Sequence, residues 1–339
     1  MSSNKLSFIF EGEAPKRIDL VLIEKLTEQG SEQLSRSQVR RLVEAGRVTV
    51  NAVGISKASF LVKPGLLVDC LLELPTAEEI EEYDIPLEVL FEDEALLVVN
   101  KPSSLTVHPG GGNRSETLLN ALVSHVKKSK IIPEDFSPGM PHRLDRDTTG
   151  VMVLTKTEFA KTHLSRQFAY RTVERSYLAL AFITPRSQRF VQMNDEGKVE
   201  TQIGRHPHQR TKMAVIKEGS SSANTKNAIT NWKVIERFIY GALVECRLET
   251  GRTHQIRVHL EHLGSPIVGD QVYGDFTGLP KVLEIDAAKF GRQALHAQQL
   301  GFIHPVTGKT LRFKVDPPKD FQQLVQKFRE TSRSSQGHT

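Results

Sequence analysis

From residue 87 onward the chain is written in short apolar runs of strand length, broken by turn residues and interrupted by only a few helical stretches. VMVLT at 151–155, SYLALAF at 176–182 and the runs at 228–236, 243–249 and 311–315 read as extended, whereas 118–126 and 157–168 space their apolar residues as helices do. LEVLFEDEALLVVNKP reads as two strands around the turn Glu92-Asp93-Glu94, ended by Pro102. This order predicts an α+β domain built around antiparallel sheet.

The first eighty residues are different in kind. A short strand at 5–10 leads into a helix from about Arg17, with Ile18, Val21, Leu22 and Leu26 on its apolar side. In SRSQVRRLVEAGR, Ser35 or Ser37 can cap a second helix that buries Val39, Leu42 and Val43, and Gly46 stands where a left-handed cap would end it. Arg36 and Arg40 share one face of that helix, with Arg41 beside them. Strand-like runs at 48–50 and through Leu66 and Val68 then predict a small sheet.

Charge divides the chain at the same place. Lys and Arg outnumber Asp and Glu only 45 to 40, a weak hint of a polyanionic partner, but the basic residues crowd into 16–63 and the acidic ones into 73–94. A basic module joined by an acidic linker to a second domain is the expected plan, and 339 residues leave room for both. The boundaries expected are a lead strand at 1–14, the basic module at 15–74, the linker at 75–86, the large domain at 87–320, and a C-terminal helix with a tail at 321–339, disordered from Glu330. GSSSANTKN reads as a surface loop. Cys70 and Cys246 lie in apolar runs and read as small buried hydrophobes. With no membrane-length apolar run and no signal pattern at the start, the cytoplasm is the default location.

Two polar clusters could carry chemistry. PHRLDRDTTG, just before VMVLT, sets Asp145 between Arg143 and Arg146, beside a rigid strand where catalytic groups concentrate; taken bare, such a loop is usually solvated or makes structural ion pairs. ETGRTHQIRVHLEHLGSPIVGDQVYGD contributes Arg252, His254, Arg257, His259 and His262. Without HExxH, CxxC or a third carboxylate at ligand spacing, the histidines do not predict a metal site. If 255–263 is helical, Arg257 can point inward. GxxxxGK[ST] and GxGxxG are missing, and HRLDRD has no glycine loop or DFG to make it a kinase site.

Taken together and in order, HRLDRDTTG, ERSYLAL, IGRHPHQRTKMAV, TGRTHQIRVHL and ALHAQQLGFIHP resemble the segments of RluA-type pseudouridine synthases across about residues 87–318. SRSQVRRLVEAGRVTVN, with two helices and a sheet, resembles the alpha-L RNA-binding module first known from a ribosomal small-subunit protein. VHPGGGN and GRHPHQRTKMAV are most similar to the RluD-like branch. The resemblance implies a small alpha-L module in front of a mainly antiparallel-sheet catalytic domain that converts uridine to pseudouridine in structured RNA. It implies Asp145 as the catalytic Asp, Tyr177 as the active-site aromatic and Arg257 as the basic partner of Asp145. Arg143 corresponds to the residue that fills the gap left by a flipped nucleotide, and Arg175 fits a basic position before the Ser-Tyr pair loosely. Arg36, Arg40 and Arg41 would contact phosphate. No cofactor and no metal are expected. The expected partner is RNA, large-subunit ribosomal RNA or a ribosome-assembly intermediate, with no membrane and a monomeric enzyme. A non-catalytic RNA-binding protein and a uridine glycosidase are the competing readings.

Overall fold

The computed structural model describes residues 5–28, 34, 36–72, 80–108, 116–129, 131–183, 195–209, 211–216, 225–274 and 278–336, with the side chains of 36, 37 and 334–336 outside that description. The chain forms two compact units, Met1–Glu81 and Glu82–Thr339.

In the front unit, β1 (Lys5–Ile9), β2 (Lys16–Arg17), α1 (Ile18–Glu28) and α2 (Arg36–Glu44) precede β3 (Val48–Val50), β4 (Val53–Ile55), β5 (Leu61–Val62) and β6 (Leu67–Leu71). The helix faces expected from spacing are the buried ones: Ile18, Val21, Leu22 and Leu26 meet Val39, Leu42 and Val43 in one core with Val48, Val50, Val68 and Cys70. Gly46 takes φ +71 and lets Arg47 N–H return to the Leu42 carbonyl, closing α2. The expected caps Ser35 and Ser37 lie outside the described residues or side chains. β1, expected as a lead outside the module, pairs with β6 along its length and so forms part of the sheet β1-β6-β3-β4. Burial pushes the Cys70 thiol up to about 12, as expected of an inert small hydrophobe.

The second unit contains β7 (Glu88–Glu92), β8 (Leu96–Lys101), α3 (Leu118–Lys128), β9 (Phe136–Gly139), β10 (Thr149–Thr157), α4 (Glu158–Ala169), β11 (Glu174–Phe182), β12 (Glu196–Arg205), β13 (Met213–Ile216) and β14 (Lys226–Arg237). It continues through β15 (Gly241–Leu248), α5 (Gln255–His262), α6 (Lys281–Phe290), β16 (Leu295–Ile303), β17 (Thr310–Lys314) and α7 (Lys319–Gln336). Its strands join one sheet ordered β13-β12-β14-β15-β11-β16-β10-β8-β7, with β17 added on β16 and β9 on β10. Turn residues Asp93 and His304 link distant hairpins: Asp93 accepts the N–H groups of Ala95 and Leu96 on one oxygen and meets His304 Nε2 at 2.7 Å with the other.

Several elements escaped the sequence reading. β12 is polar along much of its length and β16 interrupts its apolar run with Gln298, Gln299 and Gly301, so neither alternates cleanly. The tail expected to be disordered from Glu330 is helical to Gln336. Phe321, Leu324, Val325 and Phe328 of α7 enter the main core, and Arg329 grips Glu236 with two hydrogen bonds at 2.7 and 2.6 Å; that anchor lies on the far strand β14 and leaves no local sign in the sequence. The GSSSANTKN run falls largely outside the described residues.

All named pairings in the large sheet are antiparallel except β10 with β16, which run parallel at Thr149↔His296 and Gly150↔Ala297. The two backbones approach so closely that a Cβ on Gly150 would lie 2.2 Å from the Ala297 carbonyl oxygen, and the residue holds φ +118. Gly150→Ala must therefore both separate the strands and strain the backbone. The expected loss is about 2–5 kcal/mol, visible as a drop in the thermal unfolding midpoint of this unit; an unchanged midpoint would contradict the packing described.

Candidate active site

The segment Met140–Thr148 crosses the sheet between β9 and β10, and three contacts fix its path. Lys101, fully buried at the end of β8, donates its three ammonium protons to the carbonyls of Pro102 (2.8 Å), Leu105 (2.9 Å) and Arg146 (2.8 Å). Burial pulls its pKa down to about 7 while the charges of Asp147 and Asp145 oppose that fall. His142 is held as a neutral ring: its Nε2 accepts the Val153 N–H at 3.1 Å, its face stacks on Phe168 at 4.6 Å, and burial pushes its pKa to about 3. Gln293 donates to the Thr148 hydroxyl at 3.1 Å. Asp145 is thereby placed on a segment with little freedom of its own.

The opposite wall comes from the turn into α5. Gln255 organises it by accepting from the Thr250 hydroxyl (2.7 Å) and the Arg252 N–H (3.0 Å), and by donating to the Ile229 carbonyl (2.9 Å). Two residues later Arg257 is buried, and its guanidinium is shared between two carboxylates. Nη1 donates to Asp145 Oδ2 at 3.0 Å, while Nε and Nη2 donate to Asp270 at 2.7 and 2.9 Å. Asp270, with no exposed side-chain surface, also accepts the N–H groups of Val272 and Tyr273. The Tyr273 ring lies 5.0 Å from the guanidinium. Burial alone would lower the Arg257 pKa, but the hydrogen bonds and charge of Asp270, joined by Asp145, hold it above the ordinary arginine value.

Between these walls is a cavity of about 460 Å³ lined by Asp145, Tyr177, Arg257, Arg143, Arg175 and His254, among others. Tyr177 comes from β11 and is almost fully buried. Burial raises its phenol pKa, Arg175 opposes and Asp145 adds to the rise. Arg143 is exposed at the rim. Arg175 lies over the Phe168 ring at 5.4 Å, and its Nε is buried without a hydrogen-bond partner among the described residues. The sequence-selected Asp145, Tyr177, Arg257 and Arg143 thus meet in one place. Arg40 and Arg41 belong to α2 of the front unit, where exposed Arg40 pairs with Glu44 at 2.6 Å and Arg41 is half-buried; the Arg36 side chain lies outside the described residues.

The histidines divide. His259 is buried between the hydroxyls of Thr201 and Thr230, its pKa pushed to about 4 by burial, which makes it a packing residue. His262 is exposed. Among the described residues no group of three His, Cys, Asp or Glu is arranged to hold a metal ion. Asp270 and Lys101 were not selected from sequence. GDQVYGD offered a carboxylate thirteen residues after Arg257, but only the fold shows that it faces inward.

The profile described as RNA pseudouridylate synthase matches residues 95–262, and the S4 domain profile matches 33–68. A ribosomal large subunit pseudouridine synthase D of Xanthomonas campestris pv. campestris is 39% identical over 98% of this chain and 94% of its own length. This chain belongs to the RNA pseudouridylate synthase family. The chloroplastic RNA pseudouridine synthase 2 of Oryza sativa subsp. japonica is 35% identical over 97% of the chain and 83% of its own. Among solved structures, human RNA pseudouridylate synthase domain containing 4 superposes with a TM-score of 0.57 at 27% identity, covering 71% of this chain and 93% of that one. The molecule is an α+β RNA pseudouridine synthase that isomerises uridine in RNA, with an S4 domain in front. Among the described residues no helix is long and apolar enough to cross a membrane.

In this synthase the buried Arg257 depends on Asp270 for two of its three ionic hydrogen bonds. Asp270→Asn keeps the shape and removes the charge, and is expected to cost about 3 kcal/mol or more in denaturant unfolding, since half of a buried ion pair is left behind. A loss under about 1 kcal/mol would mean that the guanidinium is solvated or paired elsewhere.

Proposed function

We propose that Asp145 is the catalytic carboxylate of uridine isomerisation, with Arg257 as its charge partner and Tyr177 as the aromatic that retains the detached base. The observation that carries this reading is the 3.0 Å hydrogen bond from buried Arg257 to Asp145 inside a cavity that Tyr177 also lines. Isomerisation breaks the N-glycosidic bond, turns the uracil and rejoins it through carbon five, and consumes no nucleotide or redox cofactor. Each route open to a carboxylate, attack on the sugar, attack on the base or removal of a sugar proton, needs Asp145 ionised in a site that RNA closes off from water. The guanidinium beside it donates a charge-assisted hydrogen bond that fixes the direction of one oxygen. Tyr177 is wide enough to stack on uracil, and its buried phenol can exchange a proton with carbon five.

A stacked uridine must first leave its helix, at a cost of a few kcal/mol. Arg143, exposed at the rim, is the residue we assign to the vacated space, because a planar cation can stack on bases and reach phosphate together. The names of the curated relatives support large-subunit ribosomal RNA as the target, and an assembly intermediate that carries this RNA is the other partner assigned. A cytoplasmic monomer is the working form consistent with this role.

Asp145→Asn is the direct test. Pseudouridine formation on transcribed large-subunit RNA should become undetectable while RNA affinity stays within a few-fold, because the change is nearly isosteric. Turnover near wild type would remove Asp145 from the mechanism.

The S4 domain supplies the other half of the reading. Arg36, Arg40 and Arg41 on α2 are assigned to phosphate, and the exposed pair of Arg40 with Glu44 costs little to exchange. Changing all three to Ala should weaken binding and lower the slope of log affinity against log salt by about one per lost contact. Turnover at saturating RNA should change little. An unchanged salt slope would exclude these arginines from the interface.

A further inference from the structure

His254 holds a backbone conformation that the helix does not need. It precedes α5 with φ 56, in the left-handed region, and its side chain makes no capping bond. Such a conformation costs a residue with a Cβ about 1 kcal/mol or more. What it achieves is the placement of both ring nitrogens. Nδ1 lies 2.8 Å from the Tyr273 hydroxyl, and Nε2 lies 3.9 Å from Asp145 Oδ1, the oxygen that Arg257 leaves free.

The neighbours also decide where the ring carries its proton. The backbone N–H of Met213 donates to the Tyr273 oxygen at 2.8 Å. Burial raises the Tyr273 pKa to about 12, so the phenol keeps its proton and can donate it to Nδ1, 2.8 Å away. An imidazole that accepts at Nδ1 is neutral and protonated at Nε2. The charged groups facing the ring are Asp145 and Asp270, which favour its protonation, and Arg257 and Arg143, which oppose it; burial, the largest influence, keeps its pKa below the ordinary value.

We propose that His254 is a positioning residue for uridine isomerisation: locked by Tyr273 as the Nε2–H tautomer, it turns an N–H dipole toward the free oxygen of Asp145. Arg257 fixes one carboxylate oxygen and His254 steers the other, without a second full positive charge that would draw Asp145 out of reach of the sugar. At 3.9 Å the contact is not yet a hydrogen bond, and closure of RNA over the cavity is the step that shortens it. This inference rests on Asp145 being the catalytic carboxylate.

The test combines a signature of the ring with kinetics. In the full chain carrying ¹⁵N-labelled histidine, long-range ¹⁵N–¹H spectra should show His254 as the Nε2–H tautomer from roughly pH 6 to 8, and Tyr273→Phe should mix the tautomers. His254→Ala should lower kcat about ten- to a hundredfold with KM nearly unchanged, and His254→Gln, whose amide can present an N–H, should recover most of that loss. If His254→Ala does not fold, a smaller fall in kcat in Tyr273→Phe carries the same expectation. An Nδ1–H ring, an imidazolium across that pH range, or wild-type kcat in His254→Ala would overturn the proposal. Activity in Asp145→Asn would overturn it together with the reading beneath it, whereas an inactive Asp145→Asn beside a fully active His254→Ala overturns the positioning role alone.

Discussion

Arg257 shared between Asp145 and Asp270 is the interaction on which the rest of the second unit is arranged. A buried guanidinium is costly unless anions compensate it, and two carboxylates stand beside this one. Asp270 has no exposed side-chain surface, whereas Asp145 lines the cavity. Asp270 has its remaining capacity filled by two backbone N–H groups, so it cannot swing to solvent and release the guanidinium. Asp145 meets Arg257 through one oxygen only, and its other oxygen lies 3.9 Å from His254 Nε2.

Such a cluster works only if its members arrive from different parts of the chain at a spacing fixed to a fraction of an ångström. The sheet provides that spacing. β10 and the segment before it set Asp145, the first turn of α5 sets Arg257, β11 sets Tyr177, and a buried lysine at the end of β8 ties down the backbone next to Asp145. The polar groups that do this bracing are satisfied one by one. Lys101 spends three protons on three carbonyls, and Gln255 uses both ends of its amide. Neither can be exchanged for an apolar residue without stranding a buried acceptor.

Those braces also explain what could be read in the sequence. Asp145, Tyr177, Arg257 and Arg143 sit in dense local strings whose order along the chain is itself informative, and the helix faces of α1 and α2 follow from apolar spacing alone. Asp270 was hidden because its partner is chosen by the fold of the turn after α5. Lys101 was hidden because a lysine before a proline reads as solvent-exposed; only the convergence of three carbonyls identifies it as buried. His254 was visible as a candidate ligand in a histidine cluster, yet its direction depends on a left-handed backbone and on a tyrosine nineteen residues away. β12 and β16 were hidden because their polar and glycine positions break the alternation on which strand recognition rests.

The parallel contact of β10 with β16 also brings together segments far apart in the chain. It joins Thr149 to His296 across 147 positions, and Asp145 and Arg257 are 112 apart. Contacts between such distant segments form late, since the intervening chain must first surrender its freedom. A nascent or partly opened molecule therefore holds Asp145 with no guanidinium beside it and no wall opposite. The pairing of Asp145 with Arg257 is thus a property of the finished fold, since no short segment of the chain holds both.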